Sequence, residues 1–91
     1  MKKPLQGEAL KVLVVAGAVT HTRVIASNHG LYVEVNKIYT VATRSKRTRY
    51  FQKADTLFSW LTDLGVKAID EVDLTHWQGK AVKSSTEDGK D

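Results

Sequence analysis

The residues with the most chemical capacity lie between Lys37 and Lys53. This stretch holds six cations (Lys37, Arg44, Lys46, Arg47, Arg49 and Lys53), no acid, and two interleaved tyrosines, Tyr39 and Tyr50. Cations of this kind contact phosphates, and tyrosines beside them stack on bases or sugars, so the combination points to DNA binding. The cluster belongs to a wider asymmetry. Residues 1–53 carry ten Lys or Arg against two acids, a charge of +8, whereas residues 54–91 carry four lysines against eight acids, a charge of −4. Segregated charge makes a field that a mixed surface would cancel. A solvated basic loop kept for solubility is the competing reading. Six phosphate contacts would give a log–log salt slope of about −5, and three contacts about −3.

No other constellation assembles a reaction. The chain has no cysteine, which removes disulfides, thiolate metal sites and cysteine nucleophiles. His21, His29 and His76 stand far apart, without the short spacing of metal ligands, and read as structural or solvated. No serine sits in a nucleophile elbow, and the single scattered glycines make no phosphate loop. Asp70, Glu71 and Asp73 form an acidic run, with Glu71 and Asp73 on one strand face. General acid–base or metal chemistry there competes with a charged edge strand that resists unwanted pairing. The residues therefore predict a non-enzymatic protein without a cofactor. Trp60 and Trp77 are candidate partner-binding anchors; Trp77 reads equally as a plug for the end of the core, and for Trp60 burial on the wide side of the apolar face is the leading reading.

The elements that must position these residues follow from periodicity. Leu10, Leu13 and Val14 fall at i, i+3 and i+4, predicting a helix over Gly7–Ala16 that Gly17 ends, with a strand the competing reading because Val12, Val14 and Val15 are β-branched. Alternation predicts strands over Val19–Ser27, Leu31–Asn36 and Ile38–Arg44, joined by turns at Ser27–Gly30 and Asn36–Lys37. In the third of these, Ile38, Thr40 and Ala42 share one face and Tyr39, Val41 and Thr43 the other. Arg49–Phe51 reads as a short fourth strand. Ala54, Leu57, Phe58, Leu61 and Leu64 predict a second helix with Gly65 as its left-handed cap. Val66–Leu74 predicts a last strand. The expected fold is α+β, an antiparallel sheet of three to five strands with two helices packed on one face, in the order α-β-β-β-(β)-α-β.

Ninety-one residues, 42% of them hydrophobic, suit one small domain, here expected over residues 1–77, with 78–91 a disordered polar tail. So small a core would gain from a homodimer. Lys2 and Lys3 ahead of the apolar run Val12–Val19 fit a secretory signal poorly, because Glu8 and Lys11 intervene and the run is eight residues long. A membrane span needs about 20 apolar residues, so the expectation is a cytoplasmic chain with no membrane partner.

Several of these segments carry a family resemblance: Pro4-Leu5-x-Gly7-Glu8-Ala9-Leu10 leading to Ala16-Gly17-Ala18-Val19, then Leu31-Tyr32-Val33-Glu34-Val35. The pattern continues through Arg49-x-Phe51, Ala54, Leu57, Leu61 and Leu64-Gly65 to Val72-Asp73-Leu74. Over about residues 4 to 75 the sequence resembles the small plasmid partition-associated proteins of the ParC type, unrelated to the topoisomerase subunit of that name. The resemblance implies an accessory factor of plasmids and other mobile elements, acting beside partition or transfer genes, and carries over no catalytic residue. Two functions are therefore expected in order. The first is an accessory protein binding DNA through Lys37, Tyr39, Arg44, Lys46, Arg47, Arg49, Tyr50 and Lys53. The second is an adaptor docking on a partition or conjugation protein through a sheet edge, Trp60 or Trp77.

Overall fold

The clean alternation of Leu31, Val33 and Val35 against Tyr32 and Glu34 becomes the middle strand of a five-stranded sheet. A computed structural model describes residues 2–76 of the chain. Its elements are β1 (Lys3–Gln6), α1 (Gly7–Val15), β2 (Thr22–Ser27), β3 (Gly30–Val35), β4 (Tyr39–Ala42), α2 (Ala54–Leu64) and β5 (Glu71–Asp73). Trp77 and the expected tail over 78–91 lie outside the described residues. The sheet order is β1-β4-β3-β2-β5. β3 pairs antiparallel with β2 and β4, whereas β1 with β4 and β2 with β5 are parallel.

The α+β class and the two helices stand as expected, but the all-antiparallel sheet and the element order do not. The sheet is mixed, and a strand precedes the first helix. Pro4 lacks a backbone donor and argues against a strand from sequence alone, yet an edge strand tolerates it, and β1 is an edge. The expected fourth strand, Arg49–Phe51, is reduced to one isolated pairing, Leu31 with Phe51, and a second, Ala42 with Thr48, falls just before it. The expected last strand shrinks to three residues, because Val66 and Ile69 turn inward to pack on the core instead of alternating.

In β2, β3 and β4 every second residue faces one core, which Leu5 of β1 joins. Leu5, Val24, Ala26, Leu31, Val33, Val35 and Val41 pack with Leu10 of α1 and with Leu57 and Leu61 of α2, so both helices cover the same face. Both helices stop in the same way. Gly17 (φ 71°) and Gly65 (φ 100°) take the left-handed conformation. Paired bonds close each end: Gly17 to Val14 with Ala18 to Leu13, and Gly65 to Thr62 with Val66 to Leu61. The buried seam of α2 differs from the expected stripe. Trp60 turns toward the core, while Phe58 is left 46% exposed along a shallow groove with Leu61 and Val66. Among the described residues no helix is long and apolar enough to cross a membrane.

One polar side chain ties the lower end of the sheet together. Asn36 (φ 56°) and Lys37 (φ 62°) form the two-residue turn between β3 and β4, with the Ile38 amide donating to the Val35 carbonyl at 3.1 Å. The Asn36 Oδ1 accepts from the Thr20 amide (2.7 Å), the Thr20 hydroxyl (3.1 Å) and the His21 amide (3.2 Å). Its Nδ2 donates to the Ala18 carbonyl at 2.9 Å, which fixes the chain leaving α1 against the turn. Asn36→Gly keeps the left-handed backbone and deletes only these bonds. We expect a loss of about 2 kcal/mol, read as a lower urea midpoint at unchanged slope. An unchanged midpoint would show that the side chain does not fasten this loop.

Candidate nucleic-acid interface

The basic stretch is shaped by a turn that lifts its centre off the sheet. After β4 the Thr43 amide donates to the Arg47 carbonyl (2.7 Å) and the Lys46 amide to the Thr43 carbonyl (2.9 Å). The Thr43 hydroxyl also accepts from the Arg47 amide at 3.3 Å, and Lys46 takes a left-handed φ of 67°. Arg44, Lys46 and Arg47 are thereby exposed together at the tip. None of the three forms an ion pair among the described residues.

The returning strand then wedges between β4 and β3. The Arg49 amide donates to Val41, and Leu31 and Phe51 exchange two backbone bonds at 2.8 and 2.7 Å. Pairing of this kind sends alternate side chains to opposite faces. Thr48 and Tyr50 join the sheet face that the helices leave open, beside Thr40 and Tyr32. Arg49 and Phe51 point to the helix side. There Phe51 is core, and the Arg49 guanidinium lies 4.8 Å from the Phe51 ring centre and 4.9 Å from that of Trp60. This cation–π seat holds Arg49 in place and covers the indole of Trp60, which also packs 5.3 Å from Phe51. Tyr39 likewise lies against the core.

The eight expected DNA-binding residues are therefore not one surface. Arg44, Lys46 and Arg47 share the tip, and Tyr50 shares the open face with Lys46. Arg49 and Tyr39 are spent on packing. Lys37 sits at the other end of β4, where its carbonyl accepts from Lys2 Nζ at 3.2 Å, and Lys53 flanks the start of α2. What sequence reading missed is a cleft of about 450 Å³ on the open face, lined by Lys2, Tyr32, Thr40, Lys46, Thr48 and Tyr50 with Glu34 beside them. Tyr50 is 39% exposed and meets Tyr32 edge-on at 5.7 Å. Burial first, and then the charge of Glu34, push the Tyr32 phenol above its ordinary pKa, so it stays neutral.

The opposite side of the open face is acidic and internally paired. Arg23 reaches Glu34 (3.1 Å), Glu71 (3.4 Å) and Asp73 (2.8 Å), and His21 Nε2 lies 2.9 Å from Glu71. Glu71 and Asp73 do share a face of an edge strand, as alternation predicts, but they are partners of Arg23 rather than merely solvated charges. The acids also hold the Arg23 guanidinium above its usual pKa, led by the hydrogen bond to Glu34. Among the described residues no group of three His, Asp or Glu is placed to hold a metal ion.

No family model, curated protein or solved structure matches this chain.

Hydrogen bonds from Thr75, and then the charge of Arg23, hold the Asp73 carboxyl below its ordinary pKa. A folded-state value below the unfolded one stabilises the native state above the unfolded pKa, and that stabilisation is lost as pH falls through the folded value. Wild-type stability should therefore decline from about pH 5 downward, and Asp73→Asn should flatten that decline. Thermal unfolding measured between neutral and acid pH checks this. Parallel curves for the two proteins would remove Asp73 from the acid response.

Proposed function

We propose that this chain is a small non-enzymatic accessory protein of plasmid or mobile-element maintenance, and that it binds DNA through the tip between β4 and Phe51. One observation carries the reading: Arg44, Lys46 and Arg47 stand together, exposed and without an acidic partner among the described residues, while every described ion pair belongs to His21 or Arg23 on the other side. Unneutralised cations at one tip give a local positive field, and phosphates are the ligand that field selects. The backbone supports the same assignment. A left-handed conformation costs a residue other than glycine or asparagine about 1–2 kcal/mol, and Lys46 adopts one with its ammonium free of any bond among the described residues. The place in plasmid maintenance rests on the resemblance over residues 4 to 75 alone.

Fluorescence anisotropy of labelled DNA against salt tests the reading. Three phosphate contacts predict a log–log slope of about −3 on duplex, and Arg44→Glu with Arg47→Glu should abolish binding. No binding at low salt would sink the proposal and leave the adaptor reading, now moved from Trp60 to the outer face of α1, where Val12 and Val15 are 66% and 79% exposed.

Lys46→Gly separates charge from backbone. Relief of the left-handed strain should raise stability by up to about 1 kcal/mol, a rise in Tm of a few degrees. Loss of one phosphate contact should meanwhile weaken DNA binding and make the salt slope shallower by about one unit. A variant that is more stable and binds as well as wild type would take Lys46 out of the interface.

A further inference from the structure

The cleft on the open face says which form of nucleic acid the tip would serve. Resting on the proposed function above, we propose that the cleft takes one unpaired base of a single strand, stacked against Tyr50, while Lys46 and Lys2 hold the flanking phosphates. At about 450 Å³ the cleft lies within the roughly 300–1,000 Å³ of small-ligand sites and is continuous with the tip through Lys46. Its walls have the parts that single-strand binding uses: an exposed aromatic ring, cations, and hydroxyls from Thr40 and Thr48. A base held in a duplex has both faces stacked on its neighbours and cannot offer one to a tyrosine. An unpaired base can.

Glu34 decides which end of the nucleotide enters. Its side chain is 13% exposed, its Oε1 accepts from Arg23 at 3.1 Å, and it lines the cleft. A carboxylate there repels a phosphate and accepts from the N–H groups of a base, so the base goes in and the backbone stays at the lysines. The same sign logic disfavours a duplex laid flat across the sheet. Its phosphates would pass over Glu71 and Asp73, the acidic half of the open face, whereas a single strand needs only the lysine-bearing half.

The test is anisotropy at fixed low salt with the full chain and labelled 12-mers: a single DNA strand, the RNA strand of the same sequence, and the DNA duplex. The variants are Tyr50→Leu, Tyr50→Trp and the double reversal Arg44→Glu with Arg47→Glu, each checked for folding by circular dichroism. The single strand should bind more tightly than the duplex. Tyr50→Leu should weaken single-strand binding roughly tenfold and leave duplex binding unchanged, while Tyr50→Trp retains it. The tighter of the two single strands identifies the source, DNA or RNA, and either supports the cleft. Duplex bound as tightly as single strand, or Tyr50→Leu binding the single strand like wild type, would overturn the inference. If the double reversal still abolished binding in that case, the tip would stand as the DNA site without the cleft. No binding of any strand would overturn both.

Discussion

The pairing of Phe51 with Leu31 organises most of what is distinctive in this molecule. Two backbone bonds hold a returning segment between strands that diverge after a short ladder, in which Glu34 pairs with Thr40 and Val35 with Tyr39. The fit is close. A Cβ on Gly30 (φ 128°) would lie 2.8 Å from the Phe51 carbonyl oxygen, so the hairpin from β2 to β3 has to end on a glycine there. Once Phe51 is anchored in the core, strand alternation leaves no choice for its neighbours. Arg49 goes to Trp60 and Tyr50 goes to Tyr32. The residues between β4 and the anchor must loop out, taking Arg44, Lys46 and Arg47 with them. A core contact thus sets the position of a surface charge.

Electrostatics complete the division. Arg23 on β2 gathers three carboxylates from β3 and β5, and the cross-strand register places it directly opposite Glu34 and Glu71. These groups are partly exposed, so the pairs contribute modestly to stability. Their larger effect is on the field. Glu71 and Asp73 are held on the far half of the sheet, Glu34 in the cleft is bonded to Arg23, and Arg23 spends its own charge among the three. A net charge of +4 spread evenly over the chain would attract polyanions weakly and everywhere; here three exposed cations stand together at one turn.

Local elements were legible because local physics sets them. The stripe of α1, the glycine caps at Gly17 and Gly65, the turn at Asn36–Lys37 and the face shared by Glu71 and Asp73 all follow from short-range rules. What failed was non-local. Nothing near Pro4 announces that Lys3–Gln6 will run parallel to a strand some 35 residues later, as the register of Lys3 with Tyr39 requires. The α2 seam slipped from Phe58 to Trp60 because Phe51 waits beside the indole, a contact invisible to helix periodicity. Tyr39 was misplaced for a related reason: Val41 fixes which face of β4 meets the helices, and Tyr39 lies two residues away on that same face. The Arg23–Glu34 pair was within reach, since a two-residue turn after Ser27 sets the register that puts them opposite each other. Reading charge along the chain, rather than across strands, concealed it.

The places where the chain departs from local preference cluster around β4. Among the described residues three non-glycine positions take left-handed backbone, and all of them flank this strand: Asn36 and Lys37 before it, Lys46 after it. Asn36 is a favoured residue for that conformation, and four hydrogen bonds from its side chain offset the remaining cost. The lysines have no such return within the fold. Lys37 contributes a carbonyl to Lys2, and the Lys46 side chain bonds to nothing among the described residues. Glycine or asparagine at either position would keep the turn at lower backbone cost. Lys46 stands in the wall of the cleft that Tyr32 and Tyr50 line, and the Lys37 carbonyl accepts from Lys2, a second residue of that wall. A small domain has little stability to spare, so left-handed backbone at two lysines is a cost that the packing around β4 has to offset.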